Sequence, residues 1–264
     1  MKIGFIGGGN MASAMLAGIL KYEVASPAEI ILSDASPAAL AKCRDSFGIE
    51  TTQDNVQVAR TADLLVLSVK PQFYQTVIQE IRGDVRPQQI IVTIAPGKTL
   101  AWLAEQFGKE VKIVRTMPNT PALVGEGITG ICHNALVTAG ELEQVCRIFN
   151  SFGKAELLSE HLIDAVVGVS GSSPAYVFMM IEAMADAAVS EGLPRQQAYT
   201  MAAQAVLGSA KMVLELQKHP GELKDMVCSP GGTTIEAVRI LEEKGFRSAL
   251  IEAIKGCVKK AREL

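Results

Sequence analysis

The chain has 264 residues, 48% apolar and 20% charged, with a net charge of −3 and a mean hydropathy of +0.24. That length can enclose one large hydrophobic core or two modest ones, and the composition is globular rather than disordered. The slight acidity leaves no basic footprint for nucleic acid, and no apolar run approaches the roughly 18 residues that would argue for a membrane span.

The opening "MKIGFIGGGNM" breaks into glycine too early for a signal peptide. Five cysteines (Cys43, Cys132, Cys146, Cys228, Cys257) lie far apart with no C-x-x-C pair. They read as free thiols in a reducing cytoplasm, not as a zinc site or disulfide framework.

In chain order, "KIGFI" (2–6) predicts a strand followed by a helix from Met11 to Lys21, and "EIILS" (29–33) predicts one followed by a helix from Pro37 to Phe47. "DLLVLSV" (63–69), "QIIVTI" (89–94) and "VKIVR" (111–115) repeat the theme, with a further strand at 127–132 and a helix at 138–150. Continuous apolar strands separated by helices imply a parallel sheet covered on both faces. After Leu158 the strand signals stop, and 161–190, 194–217, 234–244 and 246–262 read as helix, broken at "EGLP" and "KHPG". The expected fold is therefore α/β: a Rossmann-type, doubly wound, mostly parallel domain over 1–158, then an all-α domain over 159–264. The segment "AYVFMMIEAMADAAV" (175–189) is apolar nearly all round. A helix of that kind needs cover, either from partner helices in an obligate oligomer or from its own domain.

"GFIGGGNMA" places Gly7, Gly9 and Ala12 in a G-x-G-x-x-A arrangement between a strand and a helix. In that setting the first glycine permits the tight turn, the second admits a pyrophosphate, and the small third residue keeps helix and strand close. Asp34 stands at the end of the second strand, about 20 residues on, where an acid hydrogen-bonds an adenosine ribose. Ser33 and Ser36 beside it offer hydroxyls to a phosphate, so NADP(H) and NAD(H) both stay open, and Asp34 as a helix cap before Pro37 is an equal reading. "SVKPQ" (68–72) and "TIAPGKT" (93–99) lie where strands end, the place where such sheets bind ligands. Lys70 there is either a cofactor contact or a surface charge. In "RTMPNTPALVGEG" (115–127), Asn119 and Thr120 are hydrogen-bonding groups of a loop that is either binding or structural.

The second half offers no metal-ligand cluster, triad signature or P-loop, and His133, His161 and His219 sit in no motif. Hydride transfer to a carbonyl usually wants an enzymic acid for the forming alkoxide. A protonated imine accepts hydride without one, so the site mainly needs orientation. "CSPGGTTIEA" (228–237) offers it: Pro230 fixes a turn, Gly231 and Gly232 free the backbone, and Thr233 and Thr234 begin a helix. Amides of 231–234 at that helix start form a ready carboxylate site, and the Thr234 hydroxyl can donate and accept. An ordinary turn and N-cap is the plainer reading of the same residues.

At these motifs the sequence closely resembles the pyrroline-5-carboxylate reductases, over essentially its whole length. "FIGGGNMA", "SVKPQ", "RTMPNTP", "DAVVGVSGSSPAYVF" (164–178) and "LKDMVCSPGGTTIEAVRILE" (223–242) occur in the family's order. The resemblance implies NADP(H)- or NAD(H)-dependent reduction of 1-pyrroline-5-carboxylate to proline, the last step of proline synthesis. It also implies a cytoplasmic homodimer or larger assembly, while the charge, the hydropathy and the lack of a ligand cluster argue for no nucleic-acid or membrane partner and no metal. The active site would lie between the nucleotide domain of one subunit and helices shared across the dimer. It places Ile6, Gly7, Gly8, Gly9, Asn10, Met11, Asp34, Asn55, Val69, Lys70, Pro71 and Ala95 at the cofactor. Gly231, Gly232 and Thr233 would hold the substrate carboxylate with Ser229 nearby, and Thr234 would act as the catalytic residue at the ring nitrogen. Two departures stand out: Ser173 replaces a glycine in the usual Gly-Ser-Gly-Pro, and Pro96 replaces an alanine in Ala-Ala-Gly. A 3-hydroxyacid dehydrogenase of similar architecture would show a lysine on the first long helix of the second domain, and "GSSPAYVFMMIEAMADAAVSEG" has none. A non-catalytic dinucleotide sensor would bind cofactor without turnover.

Overall fold

A computed structural model describes residues 1–263. Strands β1 (Ile3–Ile6), β2 (Ile30–Ser33), β4 (Leu64–Leu67) and β5 (Ile90–Thr93) are buried throughout, as continuous β-branched and leucine runs require when both faces are covered. With β3 (Glu50–Thr52), β6 (Lys112–Met117), β7 (Gly127–His133) and β8 (Gly153–Leu157), they form one sheet in the order β3-β2-β1-β4-β5-β6-β7-β8. Every pairing is parallel except β6 with β7. Side-chain alternation splits the core in two. Ile3, Phe5, Ile30, Leu32 and Val66 meet helices α1 (Asn10–Lys21), α2 (Pro37–Phe47) and α6 (Ala139–Asn150) on one face. Ile31, Leu65, Leu67 and Ile91 meet α3 (Asn55–Thr61), α4 (Tyr74–Ile81) and α5 (Leu100–Phe107) on the other.

The chain divides into two compact units, Met1–Ser172 with Cys257–Leu264, and Ser173–Gly256. Strand content ends at Leu157, but the division by packing comes later, after α7 (Ile163–Val166) and a π-helical turn at Val167–Gly171. The second unit contains α8 (Ser173–Ser190), α9 (Arg195–Leu216), α10 (Pro220–Val227), α11 (Thr233–Glu243) and most of α12 (Phe246–Ala261).

Several sequence expectations change. Edge strands β3 and β8 escape the apolar pattern because their side chains are mostly half-buried or exposed. Helix α10 hides behind "KHPG" because Pro220 does not end a helix there. It occupies the first turn of a new one, which His219 caps by accepting from the Gly221 amide at 3.0 Å. The helical run Glu160–Ser190 is long and apolar enough to cross a membrane by length and composition, contrary to the expectation that no such run exists. Only 17% of its most apolar window is buried. Within α8, Ala185 alone is buried while Phe178 and Met179 are 63% and 69% exposed, so its own chain does not cover this helix.

Candidate functional site

The strand order reverses between β1 and β4, and a cleft opens at the carboxyl ends of these strands, where doubly wound sheets bind ligands. Its volume is about 430 Å3, and its lining includes Ile6, Gly7, Gly9, Asp34, Asn55, Val69 and Lys70. Gly7 adopts φ +107°, and a Cβ there would stand 2.7 Å from the Ser68 carbonyl oxygen, so the turn at the end of β1 requires glycine. Nothing lies within 4 Å of where a Gly9 Cβ would be. Gly9 caps α1 without a side-chain hydrogen bond, so the Asn10 and Met11 amides begin the helix uncapped. A tight turn, open space and orphan amides at the positive end of a helix suit a dinucleotide pyrophosphate.

Backbone donors brace the cleft wall. The Gly8 amide donates to Asp34 Oδ2 at 2.7 Å and the Ser36 amide to Asp34 Oδ1 at 2.8 Å. Asp34 is thus a brace between the glycine turn and the end of β2. The cap of α2 belongs to Ser36, whose Oγ accepts from Ala39, so the reading of Asp34 as the cap is not met. Fully buried Tyr74 ties the next two strand ends together. Its hydroxyl donates to the Leu67 carbonyl at 2.5 Å and accepts from Thr93 Oγ1 at 3.0 Å and the Ile94 amide at 3.3 Å. Burial, opposed by the hydrogen bonds that the hydroxyl accepts, pushes its phenol up to about 12.

Five residues expected at the cofactor do not line this cleft: Gly8, Asn10, Met11, Pro71 and Ala95. Gly8 is buried behind Asp34, and Asn10 and Met11 open α1. Pro71 begins a 3-10 turn over 71–73, and Ala95 is 3% exposed. Asn119 is structural, donating to the Ser170 carbonyl at 3.0 Å and accepting from the Ile128 amide at 2.9 Å. At the two departures from the family pattern, Ser173 opens α8 half-buried without a positive φ, and Pro96 follows the buried Ala95.

In the second unit, Ser229-Pro230-Gly231-Gly232 forms a tight turn in which Gly231 takes φ +68° and the Gly232 amide donates to the Ser229 carbonyl at 3.0 Å. Proline then a left-handed glycine is the sequence of a type II turn. The closing bond removes Gly232 from the donors expected to face a ligand. Gly232 caps α11 without a side-chain bond, which leaves the Thr233, Thr234 and Ile235 amides as the orphan donors of the helix start. No residue of α11 is buried.

Residues 160–264 match a family model for pyrroline-5-carboxylate reductase dimerisation, and residues 2–97 match one described as NADP oxidoreductase, coenzyme F420-dependent. The pyrroline-5-carboxylate reductase of Escherichia coli K12 is 54% identical over 263 residues, covering 100% of this chain and 98% of that protein. The chain belongs to the pyrroline-5-carboxylate reductase family. The solved pyrroline-5-carboxylate reductase of Coxiella burnetii superposes with a TM-score of 0.92 at 36% identity, covering 99% of this chain and 97% of that one. The Plasmodium falciparum pyrroline carboxylate reductase, solved with NADP bound, gives 0.91 at 32% identity over 100% and 97% of the two chains.

For a pyrroline-5-carboxylate reductase, the absence of lysine from α8 takes away the residue on which a hydroxyacid dehydrogenase reading depends. The cleft of this family member also includes residues the sequence did not single out for it: Ala35, Ser68, Phe73, Thr76, Val77 and Glu80. Phe73, Thr76, Val77 and Glu80 recur every three or four residues from the turn before α4 into that helix, a spacing that puts them on one face. Ser68 donates to the Gly7 carbonyl at 2.7 Å, fastening β4 to the glycine turn.

Proposed function

We propose that the chain reduces 1-pyrroline-5-carboxylate to L-proline with NADP(H), NAD(H) serving as a second cofactor, as a cytoplasmic homodimer or larger homo-oligomer. The cleft residues Ile6, Gly7, Gly9, Asp34, Asn55, Val69 and Lys70 would hold the cofactor, with pyrophosphate at the uncapped start of α1. Gly8, bonded to Asp34, and buried Ala95 lie behind the lining. When bound, the reduced nicotinamide supplies hydride to C5 of the cyclic iminium, giving the secondary amine.

The observation that carries the substrate assignment is the opening of α11. Its Thr233, Thr234 and Ile235 amides lack a side-chain cap, and the turn that precedes them is closed internally. Together they suit the substrate carboxylate, with Ser229 and Gly231 forming the rim. The Thr234 hydroxyl would hold the ring nitrogen, orienting the imine without general acid catalysis from a histidine. The apolar faces of α8 and α9, where Met179, Met201 and Leu214 are 69%, 62% and 61% exposed, pair with a second copy of the chain rather than with lipid.

Steady-state assays with pyrroline-5-carboxylate and each cofactor test this reading. Thr234→Ala lowers kcat about 10- to 100-fold, the worth of one hydrogen bond to a charged group, while KM for NADPH stays within about twofold. Equal damage to both parameters would remove Thr234 from the substrate site.

A further inference from the structure

At the end of β2, where doubly wound folds distinguish a 2′-phosphate from a free ribose hydroxyl, a chain of hydrogen bonds leads to an acid. Buried Ser33 donates from Oγ to Asn55 Oδ1 at 2.7 Å, and Asn55 Nδ2 donates to Glu80 Oε2 at 2.8 Å. The Ser33 proton and one of the two Asn55 amide protons are therefore spent within the chain. The two acids of the cleft differ. Asp34 accepts an amide on each oxygen, at 2.7 Å and 2.8 Å, whereas Glu80 meets only the neutral Asn55 and forms no ion pair among the described residues. Lys70 is the single cation of the lining, and it lies at the end of β4 rather than β2.

We propose that Glu80 is a specificity-determining residue that biases the cleft against the 2′-phosphate of NADP(H) and so narrows the advantage of NADP(H) over NAD(H). Two effects act in one direction. The carboxylate occupies an Asn55 N–H that a phosphate would otherwise receive, and its negative charge opposes a phosphate carrying the same sign. A ribose hydroxyl suffers neither penalty and can donate to the free Glu80 oxygen. This inference rests on the dinucleotide reading of the cleft. It does not depend on the reaction catalysed.

Glu80 is exposed on α4, so its replacement leaves the core untouched. Glu80→Gln, which keeps an acceptor for Asn55, should raise the NADPH-to-NADH ratio of kcat/KM about threefold, and Glu80→Lys about tenfold, at low salt. Both gains should shrink as salt rises from about 0.05 M to about 0.5 M, as a charge effect requires and a packing effect does not. Calorimetry with 2′,5′-ADP and 5′-AMP gives a readout independent of turnover. Tighter 2′,5′-ADP binding with unchanged 5′-AMP binding supports the assignment. An unchanged or lower cofactor ratio, or 2′,5′-ADP affinity that fails to rise, overturns it; a fall would mean that Glu80 aims Asn55 at the phosphate. If the wild-type protein turned over pyrroline-5-carboxylate with neither cofactor, the reaction assignment would fail while the nucleotide titrations still judged Glu80.

Discussion

Replacing Tyr74 with phenylalanine tests how the cleft at the strand ends, the proposed cofactor site, is held. The ring stays and only the hydroxyl leaves, so no large cavity forms. Three bonds are lost at 0% exposure: to the Leu67 carbonyl, Thr93 Oγ1 and the Ile94 amide. A buried polar group left without a partner costs about 1–3 kcal/mol, and the Ile94 amide is the clearest such orphan, so Tyr74→Phe should destabilise the protein by about 2–4 kcal/mol. Urea denaturation with unchanged m-value measures this directly. Alkaline pH supplies a second reading. The phenol ionises at its ordinary value of 10.0 in the unfolded chain and at about 12 in the native one. Between those values the folded protein keeps a proton that the unfolded chain has lost, so stability falls as pH rises. The loss over that window is about 2–3 kcal/mol in the wild type and absent from the phenylalanine variant. Because Leu67 and Thr93 end β4 and β5 beside the loops carrying Val69 and Ala95, KM for NADPH should rise about two- to fivefold as those loops loosen. A variant within about 0.5 kcal/mol of wild type, with the same alkaline profile, would refute the reasoning.

Gly7→Ala introduces a Cβ 2.7 Å from the Ser68 carbonyl oxygen at a φ of +107°. It should cost about 2 kcal/mol or more and abolish saturation by NADPH, as read by fluorescence titration and thermal denaturation. Glu160 Oε1 accepts from buried Arg115 Nη1 at 3.1 Å and from the Leu100 amide at 2.7 Å. Asp164 at 3.5 Å is the other acid beside that guanidinium. Glu160→Ala should therefore destabilise by about 2–4 kcal/mol in chemical denaturation, whereas a loss typical of an exposed pair, below about 1 kcal/mol, would show that water already screens the guanidinium.

The central strands were legible because burial on both faces writes them as unbroken apolar runs; β1, β2, β4 and β5 fall within their predicted spans. The outermost strands were not, since "ETT" and "GKAEL" lie at the sheet's two edges with little apolar surface to hide. The glycine turn was legible for a related reason: a backbone with positive φ against a neighbouring carbonyl admits one residue type. Side-chain partnerships were opaque. Nothing local to Asp34 reveals that the Gly8 amide claims one of its oxygens, and Glu80 reaches Asn55 only because α3 and α4 lie together on one face of the sheet. The Gly232 amide was misjudged because a turn's closing bond consumes a donor that residue types alone suggest is free. Pro220 was misjudged because a missing N–H breaks a helix in its middle yet costs nothing at its first turn.

Helix α11 buries none of its residues against its own chain, yet it carries the threonines assigned to substrate. A protomer alone leaves that helix without a single buried residue. With the substrate held at α11 as proposed, a second subunit would have to wall that helix, and dilution would then lower turnover before cofactor binding.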